Sequence, residues 1–215
     1  MIAMILAAGR GKRMRPITDK TPKALIKVNG VSLLERNIKK LVEFGVKKIV
    51  INLYWLGEKI VDEIGSGSKY GIQICYSPEY DQILETGGGI KRALPLLGRE
   101  PFWVLNGDIY SDIKLSKPAL DPDSLGHLIL VPNPSYKKTG DFELLRGKIC
   151  KSDEPNYTFS GMGFYRHQLF EKHSIGKFSL APLLYEAAEK SRLSGSIYKG
   201  VWSDIGTPER LKDFI

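Results

Sequence analysis

An apolar run at the start of the chain leads directly into a turn of small residues and cations. Residues 6–16 read Leu-Ala-Ala-Gly-Arg-Gly-Lys-Arg-Met-Arg-Pro. Small residues let backbone N–H groups approach phosphate oxygens, and the cations balance the phosphate charge. The dinucleotide-binding fingerprint needs a third glycine where Met14 stands, and the P-loop needs four residues between its glycines, so neither pattern fits. We interpret the segment as a phosphate-binding loop of another kind, with a plain basic turn as the alternative.

Two aspartates and a lysine stand beside apolar segments where they could meet a phosphorylated ligand. Asp108 follows the apolar run 102–105, Asp204 follows residues 201–202, and Lys23 precedes another apolar segment. Ligands gather at the carboxyl ends of strands in an open α/β sheet, where we expect both carboxylates to lie. Mg²⁺ takes one or two carboxylates and keeps its other positions for phosphates and water. Taken alone, each aspartate is also typical of a turn, and the lysine of a solvated surface.

A run of glycines offers a second bare stretch of backbone. Gly87, Gly88 and Gly89 follow Leu-Glu-Thr at the predicted start of a helix. Successive glycines cost conformational entropy unless something must approach the backbone closely. A nucleobase or another backbone segment would equally satisfy that condition.

Short apolar runs alternate with helical patterns in about residues 1–112, which predicts βαβ units and a mainly parallel sheet. The predicted strands are 2–6, 48–53, 72–76 and 102–105. One helix is predicted between Ser32 and Gly45, because Ser32 and Glu35 form a capping box and apolar residues follow at helical spacing. Two more are predicted at 58–64 and from the glycine run to just before Pro95.

Prolines divide the second half into shorter pieces from about residue 115, which predicts an antiparallel extension of the same sheet. The predicted elements there are strands at 128–131, 142–145 and 161–165, a helix at 180–188, strand fragments at 197–198 and 201–202, and a last helix capped by Thr207 and Pro208. We therefore expect an α/β fold with a Rossmann-like mixed, mainly parallel sheet, flanked by helices and extended by antiparallel strands. The whole chain, 1–215, is predicted to be a single domain.

The composition is that of a globular protein, with 42% apolar and 26% charged residues. The net charge of +8 favours an anionic partner. Because the dense basic cluster lies in the glycine-bearing turn, we expect a small polyanion rather than a nucleic acid. The two cysteines show no metal-ligand spacing and are predicted to be buried thiols in a reducing compartment. No apolar run approaches 18 residues, so we expect no membrane span and a cytoplasmic protein.

In combination, the motifs resemble those of the sugar-1-phosphate nucleotidyltransferase family along nearly the whole chain. They are Gly-x-Gly-x-Arg-Met-x-Pro at 9–16, Thr-Pro-Lys at 21–23, Glu-Thr-Gly-Gly at 85–88, Asn-Gly-Asp at 106–108 and Trp-x-Asp-Ile-Gly-Thr at 202–207. Within that family the chain is most similar to the N-acetylmuramate-1-phosphate uridylyltransferases of peptidoglycan recycling, through the segments 84–89, 93–98, 140–142 and 180–184.

The resemblance implies that an oxygen of a sugar 1-phosphate attacks the α-phosphorus of a nucleoside triphosphate in line and that pyrophosphate leaves. Such chemistry depends on positioning and charge neutralisation, and needs no covalent protein nucleophile. By resemblance, Mg²⁺ is the cofactor and is held by Asp108 and Asp204. Arg13 and Lys23 would be catalytic, Arg13 by neutralising the leaving pyrophosphate and Lys23 by holding the region of the α-phosphate.

The resemblance also implies which residues contact each substrate. Those implied for the nucleotide, with Gly88 against the base, are Ala8, Gly9, Gly11, Arg13, Lys23, Gly87 and Gly88. Those implied for the sugar phosphate are Asn106, Asn133, Gly140, Asp141 and Asp153. The nucleotide-binding half would span about 1–112 and the sugar-phosphate half about 113–215.

The chain departs from the wider family at two places. Many relatives carry Glu-Lys-Pro at the sugar phosphate, but residues 153–155 read Asp-Glu-Pro, so Glu154 stands where a phosphate-binding lysine is expected. If the muramate-type pattern holds, we expect Glu154 to be solvated or turned away. Glu79 and Gln82 compete for the position of the glutamine that often reads the base.

The preferred substrates are UTP and N-acetylmuramic acid 1-phosphate. One alternative is a GTP- or dTTP-dependent hexose-1-phosphate nucleotidyltransferase, such as a mannose-1-phosphate guanylyltransferase, because a single base-reading residue can change the nucleotide. Another alternative is a non-catalytic nucleotide-sugar sensor. We expect a nucleoside triphosphate and a sugar 1-phosphate as partners, no nucleic acid or membrane, and a monomer or weak dimer.

Overall fold

The computed structural model describes residues 1–214, and a large mixed sheet forms the centre of that part of the chain. The strands are Ile2–Leu6 (β1), Lys27–Val28 (β2), Val31–Ser32 (β3), Lys48–Leu53 (β4), Gln73–Pro78 (β5), Phe102–Asn106 (β6), Ile109–Ser111 (β7), Gly126–Pro132 (β8), Glu143–Leu145 (β9), Lys148–Cys150 (β10), Tyr157–Tyr165 (β11), Leu193–Ile197 (β12) and Trp202–Asp204 (β13). The α-helices are Ile17–Lys20 (α1), Leu33–Glu43 (α2), Gly57–Ile64 (α3), Glu85–Leu97 (α4), Ala181–Glu189 (α5) and Pro208–Lys212 (α6).

Within residues 1–214 the central sheet has nine strands in the order β5-β4-β1-β6-β11-β8-β12-β10-β9. The first four are mutually parallel, and β11 then pairs antiparallel with both β6 and β8. Strands β9 and β10 are also antiparallel, whereas β12 runs parallel to β8. The predicted fold class is confirmed, with β12 as a parallel strand inside the otherwise antiparallel extension.

Helices cover both faces of this sheet, which is why the central strands are continuous apolar runs. One face packs against α2 and α3, through buried residues such as Ile38, Leu41 and Ile60. The other face packs against α4 and α5, through residues such as Ile90 and Leu183. The sheet is therefore held rigidly between two apolar layers, and the loops at its carboxyl end are positioned by a fixed frame.

Helix α2 begins where the capping pattern predicted. The Ser32 hydroxyl accepts a hydrogen bond from the Glu35 backbone N–H at 3.2 Å. Leu34, Ile38 and Leu41, which follow at helical spacing, are fully buried. The predicted cap of the last helix is also confirmed, because the Thr207 side chain caps α6 and Pro208 is the first residue of that helix.

Helix α4 contradicts the prediction that it ends before Pro95. It continues to Leu97, with Pro95 inside its last turn. Proline lacks the N–H that would bond to the carbonyl of Lys91, but Pro95 is exposed, so water can satisfy that carbonyl. Leu94 and Leu97 are buried against the sheet, and their burial favours continuing the helix.

Strand β11 is longer than the predicted segment 161–165, and its pairing with β8 shifts register between Phe159 and Gly163. Gly161 has a φ of 79°, a conformation that glycine adopts without steric cost. This β-bulge interrupts the alternation of side chains, so the residues before Gly161 do not read as one strand with those after it. Other strand bounds differ from the predictions by a few residues.

No helix in residues 1–214 combines the length and the hydrophobicity needed to cross a bilayer. Strands from before and after residue 112 share the central sheet, since β11 pairs with β6. The single-domain assignment and the division near residue 112 stay predictions.

Candidate active site

A cavity of about 490 Å³ opens beyond the ends of β1 and β6. It lies at the carboxyl edge of the parallel strands, where open α/β sheets bind their ligands. Its wall includes seven of the predicted site residues: Ala8, Gly9, Gly11, Arg13, Lys23, Asn106 and Asp108. The structure thus brings the glycine-bearing turn, the lysine and one aspartate around a single space.

The glycine-bearing turn after β1 is shaped by a left-handed residue and a buried anchor. Gly11 has a φ of 61°, and a Cβ there would lie 2.8 Å from Thr18 Cγ2. The Gly11 carbonyl accepts hydrogen bonds from the Thr18 hydroxyl and the Met14 N–H, each at 2.8 Å. Met14 is fully buried, so the residue at the position of the dinucleotide motif's third glycine is an apolar anchor. The conformation of the turn is therefore fixed by contacts within the chain itself.

Lys23 and Asp108 meet across the cavity wall as an ion pair. Their side chains are only 15% and 26% exposed, so water screens the pair less than it screens a surface pair. Gly107 brings Asp108 to this place, because the Gly107 N–H donates to the Leu6 carbonyl at 2.9 Å and a Cβ on Gly107 would lie 2.7 Å from that oxygen. A glycine is therefore needed between Asn106 and Asp108.

Asp204 lies beside Asp108. The sequence pattern predicts Asp204 at the carboxyl edge of the central sheet, and that prediction is wrong. Asp204 ends β13, which forms a separate two-stranded antiparallel sheet with β7. Asp204 pairs with Ile109, and the N–H of the next residue, Ile205, donates to the Asp108 carbonyl at 2.9 Å. The sequence pattern could not reveal this pairing, because strands of three residues carry little periodicity.

The Asp204 carboxylate is bound by two side chains. Oδ2 accepts a hydrogen bond from Arg210 Nη1 at 2.5 Å, and Oδ1 accepts one from the Tyr136 hydroxyl. Arg13 is close as well, since a Cβ on Gly206 would lie 3.4 Å from Arg13 Nη2 and 3.3 Å from Asp204 Oδ2. Burial of the phenol and its hydrogen bond to Asp204 raise the pKa of Tyr136, so it remains a protonated donor at neutral pH.

The donor set fits a magnesium ion rather than a metal held by protein ligands alone. Within residues 1–214, no group of three or more His, Cys, Asp or Glu side chains could hold a metal ion. Asp108 and Asp204 supply carboxylate oxygens, and each carboxylate pairs with a cationic side chain, Lys23 and Arg210 respectively. One or two carboxylates are the usual protein contribution to a Mg²⁺ that also binds phosphates and water.

A buried polar network that the sequence reasoning missed joins the turn after β1 to the start of α4. Asn52 Oδ1 accepts the Ala7 N–H at 2.7 Å, and Asn52 Nδ2 donates to Glu79 Oε1 at 2.7 Å. Glu79 Oε2 accepts the Leu84 N–H at 2.7 Å. Burial raises the pKa of Glu79, and these two hydrogen bonds oppose the shift. The signal in the sequence was Asn52 itself, an amide inside the apolar run of β4.

The two candidates for the base-reading position, Glu79 and Gln82, lie in different environments. Glu79 is 3% exposed, with both oxygens occupied by Asn52 and Leu84. Gln82 is exposed and lines a smaller neighbouring cavity with Arg10 and Lys177. Neither side chain is in the wall of the main cavity, whose wall in this region is formed by Ile83, Glu85 and Thr86.

The glycines at the start of α4 approach another backbone segment. A Cβ on Gly88 would clash with the carbonyl of Gly176, and the Gly88 N–H donates to the Phe178 carbonyl at 3.0 Å. A Cβ on Gly87 would lie 2.5 Å from the Phe178 ring. The entropic cost of these glycines is thus explained by packing, and the contact of Gly87 and Gly88 with a nucleotide stays a prediction.

Three of the predicted sugar-phosphate residues lie together at the start of β11. The Asn133 side chain and the Gly140 N–H both donate to the Pro155 carbonyl, at 3.1 and 2.9 Å. The Asp141 carboxylate accepts the Phe159 N–H at 2.8 Å and pairs with Lys137. Asn133, Gly140 and Asp141 shape the turn between β8 and β9 and lie outside the wall of the main cavity. Of the predicted set, Asn106 is in that wall.

Asp153 and Glu154 are both exposed to solvent. They follow β10 on the approach to β11, and the Glu154 N–H donates to the Ser152 hydroxyl. The exposure of Glu154 matches the expectation that it is solvated. The structure gives Asp153 the same environment, so it does not join the cluster formed by Asn133, Gly140 and Asp141.

Comparisons with known proteins agree on the family and the fold. Residues 2–124 match the family model described as nucleotidyl transferase. Over 99% of its length the chain is 46% identical to an N-acetylmuramate alpha-1-phosphate uridylyltransferase of Neisseria meningitidis, 96% of which is covered. It is 30% identical over 97% of its length to the Caulobacter vibrioides protein of that name, with 93% covered. A solved Bacillus anthracis structure, described as a glucose-1-phosphate thymidylyltransferase, shares the fold, with a TM-score of 0.85 at 20% identity and coverage of 99% and 93%.

Proposed function

The chain belongs to the nucleotidyl transferase family, and we propose that it joins UTP and N-acetylmuramic acid 1-phosphate into a nucleotide-sugar with release of pyrophosphate. The observation that carries this proposal is the 46% identity, over nearly the full length of both chains, to a protein named for that reaction. The site supports it, because the cavity wall combines an open glycine turn with Arg13, Lys23 and Asp108.

In the proposed reaction, the chain positions two anionic substrates and neutralises their charge. Backbone N–H groups of the turn at Gly9 and Gly11 bind triphosphate oxygens. The space beside Gly9 supports this contact, because a Cβ added to Gly9 would have no heavy atom within 4 Å. Arg13 stabilises the negative charge that develops on the departing pyrophosphate. Lys23 leaves its pair with Asp108 to bind the α-phosphate region. A phosphate oxygen of the sugar 1-phosphate then attacks the α-phosphorus in line.

Mg²⁺ is part of the proposal, with Asp108 and Asp204 as the residues that would hold it. When bound, the ion supplies positive charge to the phosphates of both substrates. The adjacent backbone positions of the two aspartates support this assignment.

The two halves of the chain divide the substrates in this proposal. The nucleotide binds to about residues 1–112, with its base toward Glu85 and Thr86 at the start of α4, because these residues line the cavity. The sugar binds on the side of about residues 113–215, toward the turn that carries Asn133, Gly140 and Asp141. Asp153 remains a proposed sugar contact, and because its side chain is exposed to solvent, the sugar would have to extend to it.

The same proposal covers the cellular setting. The thiols of Cys75 and Cys150 are free, which supports a reducing compartment and hence the cytoplasm. A role in peptidoglycan recycling follows from the proposed sugar. A monomer or weak dimer is the proposed assembly. A guanylyl- or thymidylyltransferase is not favoured by the named relatives, and a non-catalytic sensor would not need Arg13, Lys23 and Asp108 around one cavity.

A pyrophosphate-release assay across substrates tests the proposal. Five nucleoside triphosphates are each paired with N-acetylmuramic acid, N-acetylglucosamine, glucose and mannose 1-phosphates in the presence of Mg²⁺. We expect UTP with N-acetylmuramic acid 1-phosphate to give the highest rate. A higher rate for GTP or dTTP with a hexose 1-phosphate would support the guanylyl or thymidylyl alternative, and no turnover with any pair would support the sensor.

Glu154 provides a test of the sugar assignment. Glu154→Ala is expected to change kcat/KM for the sugar phosphate by no more than about twofold, because the side chain is exposed. Glu154→Lys is expected to leave glucose and mannose 1-phosphates as poor as before. Glu100→Lys, at another exposed glutamate, makes the same charge change outside the site and serves as the control. A large gain on hexose 1-phosphates in the Glu154→Lys enzyme alone would contradict the muramate assignment.

A further inference from the structure

Each oxygen of the Asp204 carboxylate contacts a different side chain, Oδ2 the Arg210 guanidinium and Oδ1 the Tyr136 hydroxyl. The Arg210 guanidinium contacts Oδ2 at 2.5 Å, and its Nη1 also reaches the Asp204 backbone carbonyl at 3.3 Å. The Tyr136 hydroxyl donates a hydrogen bond to Oδ1. The Arg210 guanidinium carbon also lies 3.6 Å from the centre of the Tyr136 ring, so one cation contacts both the carboxylate and the ring.

Tyr136 joins two distant parts of the chain. It lies in the turn between β8 and β9, which also carries Asn133, Gly140 and Asp141. The ends of this turn are fixed by the hydrogen bonds of Asn133 and Asp141 to Pro155 and Phe159. Tyr136 extends from its middle to the segment 204–210, and 47% of its surface remains exposed. The half-exposed Tyr136 side chain therefore holds the middle of the turn against Asp204 and Arg210.

A divalent cation held by Asp204 would be repelled from Oδ2 by the positive charge of Arg210, which leaves Oδ1 as the available oxygen. Oδ1 is also the oxygen that accepts the Tyr136 hydrogen bond. We propose that Tyr136 is a positioning residue which competes with the metal ion for Asp204, so that metal binding releases the middle of the 133–141 turn on the sugar side of the site. The proposal rests on the metal site of the proposed function.

Metal binding measured without turnover tests this competition. Mn²⁺ alone is titrated into the protein and the free ion is followed by electron paramagnetic resonance. Tyr136→Phe keeps the ring under Arg210 but removes the hydroxyl. We expect it to bind Mn²⁺ about threefold to tenfold more tightly than the parent, as for the loss of one competing hydrogen bond of ordinary strength at an exposed site. Tyr80→Phe is the matched control, since Tyr80 is an exposed tyrosine beneath Arg92.

The release of the turn has a separate readout. Lys138 is exposed two residues after Tyr136 and gives trypsin a site in the middle of the turn. In the parent protein, Mg²⁺ is expected to accelerate cleavage after Lys138, measured by mass spectrometry of the peptides. In Tyr136→Phe the cleavage is expected to be fast without metal and to gain little from it.

Each result decides between this inference and the function on which it depends. Equal Mn²⁺ affinity in the parent and Tyr136→Phe, or weaker binding in the variant, overturns the competition while leaving the metal site in place. Mn²⁺ affinity that is unchanged by Asp204→Asn overturns the assignment of Asp204 as a ligand, and the competition with it. Cleavage after Lys138 that ignores Mg²⁺ in a parent that binds Mn²⁺ overturns the release of the turn.

Discussion

Replacing Arg13 with alanine is expected to lower turnover about 10²-fold or more, with a smaller effect on the KM for the nucleotide. The guanidinium is in the cavity wall and lies near Asp204, where it can meet the charge that develops on the leaving pyrophosphate. An interaction that strengthens as the α-phosphorus bond breaks stabilises the transition state more than the bound substrate. Steady-state kinetics with UTP and the preferred sugar 1-phosphate measure both parameters.

Arg10→Ala is the matched control for this change. Arg10 is an exposed arginine in the same turn, but its guanidinium lies over the rings of Tyr54 and Trp55 and bonds to the Tyr54 hydroxyl at 3.1 Å. It lines the neighbouring smaller cavity instead of the main one. Its loss should therefore cost far less turnover. Equal losses in the two variants would show that the turn acts only as a diffuse basic surface.

Asparagine at Asp108 or at Asp204 is expected to reduce turnover about 10²-fold in each case and to raise the Mg²⁺ concentration needed for half-maximal rate. The substitution keeps the shape of the side chain and removes one carboxylate charge from the proposed metal site. It also leaves a cation without its partner, Lys23 in the first case and Arg210 in the second. Rates measured over a range of Mg²⁺ concentrations separate a metal defect from a defect in the fold.

Asp112→Asn controls for the loss of an acidic residue close by in the chain. Asp112 follows β7 directly, is exposed, and bonds to the Tyr198 hydroxyl away from the main cavity. It should keep the parental Mg²⁺ dependence. Near-normal turnover of Asp204→Asn at low Mg²⁺ would make that aspartate structural and would contradict the site with two carboxylates.

Local patterns in the sequence predicted the frame of the site because local physics determines that frame. The strands β1 and β4 begin and end where their apolar runs do, and α2 begins at its capping serine. The glycine-bearing turn and Asp108 directly follow strands of the parallel sheet, so their meeting at its carboxyl edge follows from topology. These predictions needed no knowledge of contacts between distant residues.

The features that the sequence did not predict depend on contacts between distant segments. Pro95 stays within α4 because the leucines beside it are buried, which overrides the local preference to end the helix. Gly87 and Gly88 are packed by the segment 176–179, some 90 residues away. Asp204 reaches Asp108 through a pairing of two strands of three residues each, and Tyr136 meets Asp204 across 68 positions in sequence. Neither the periodicity of apolar residues nor the spacing of motifs predicts contacts between segments so far apart in the sequence.

The identity of the product is the most direct test of the central claim. The purified protein is incubated with Mg²⁺, UTP and N-acetylmuramic acid 1-phosphate, and the products are identified and quantified by mass spectrometry. We predict equal amounts of UDP-N-acetylmuramic acid and pyrophosphate, formed with a kcat/KM at least about 10²-fold above that for GTP with mannose 1-phosphate. A protein that forms GDP-mannose faster, or that binds the nucleotide-sugar without forming it, would contradict the account.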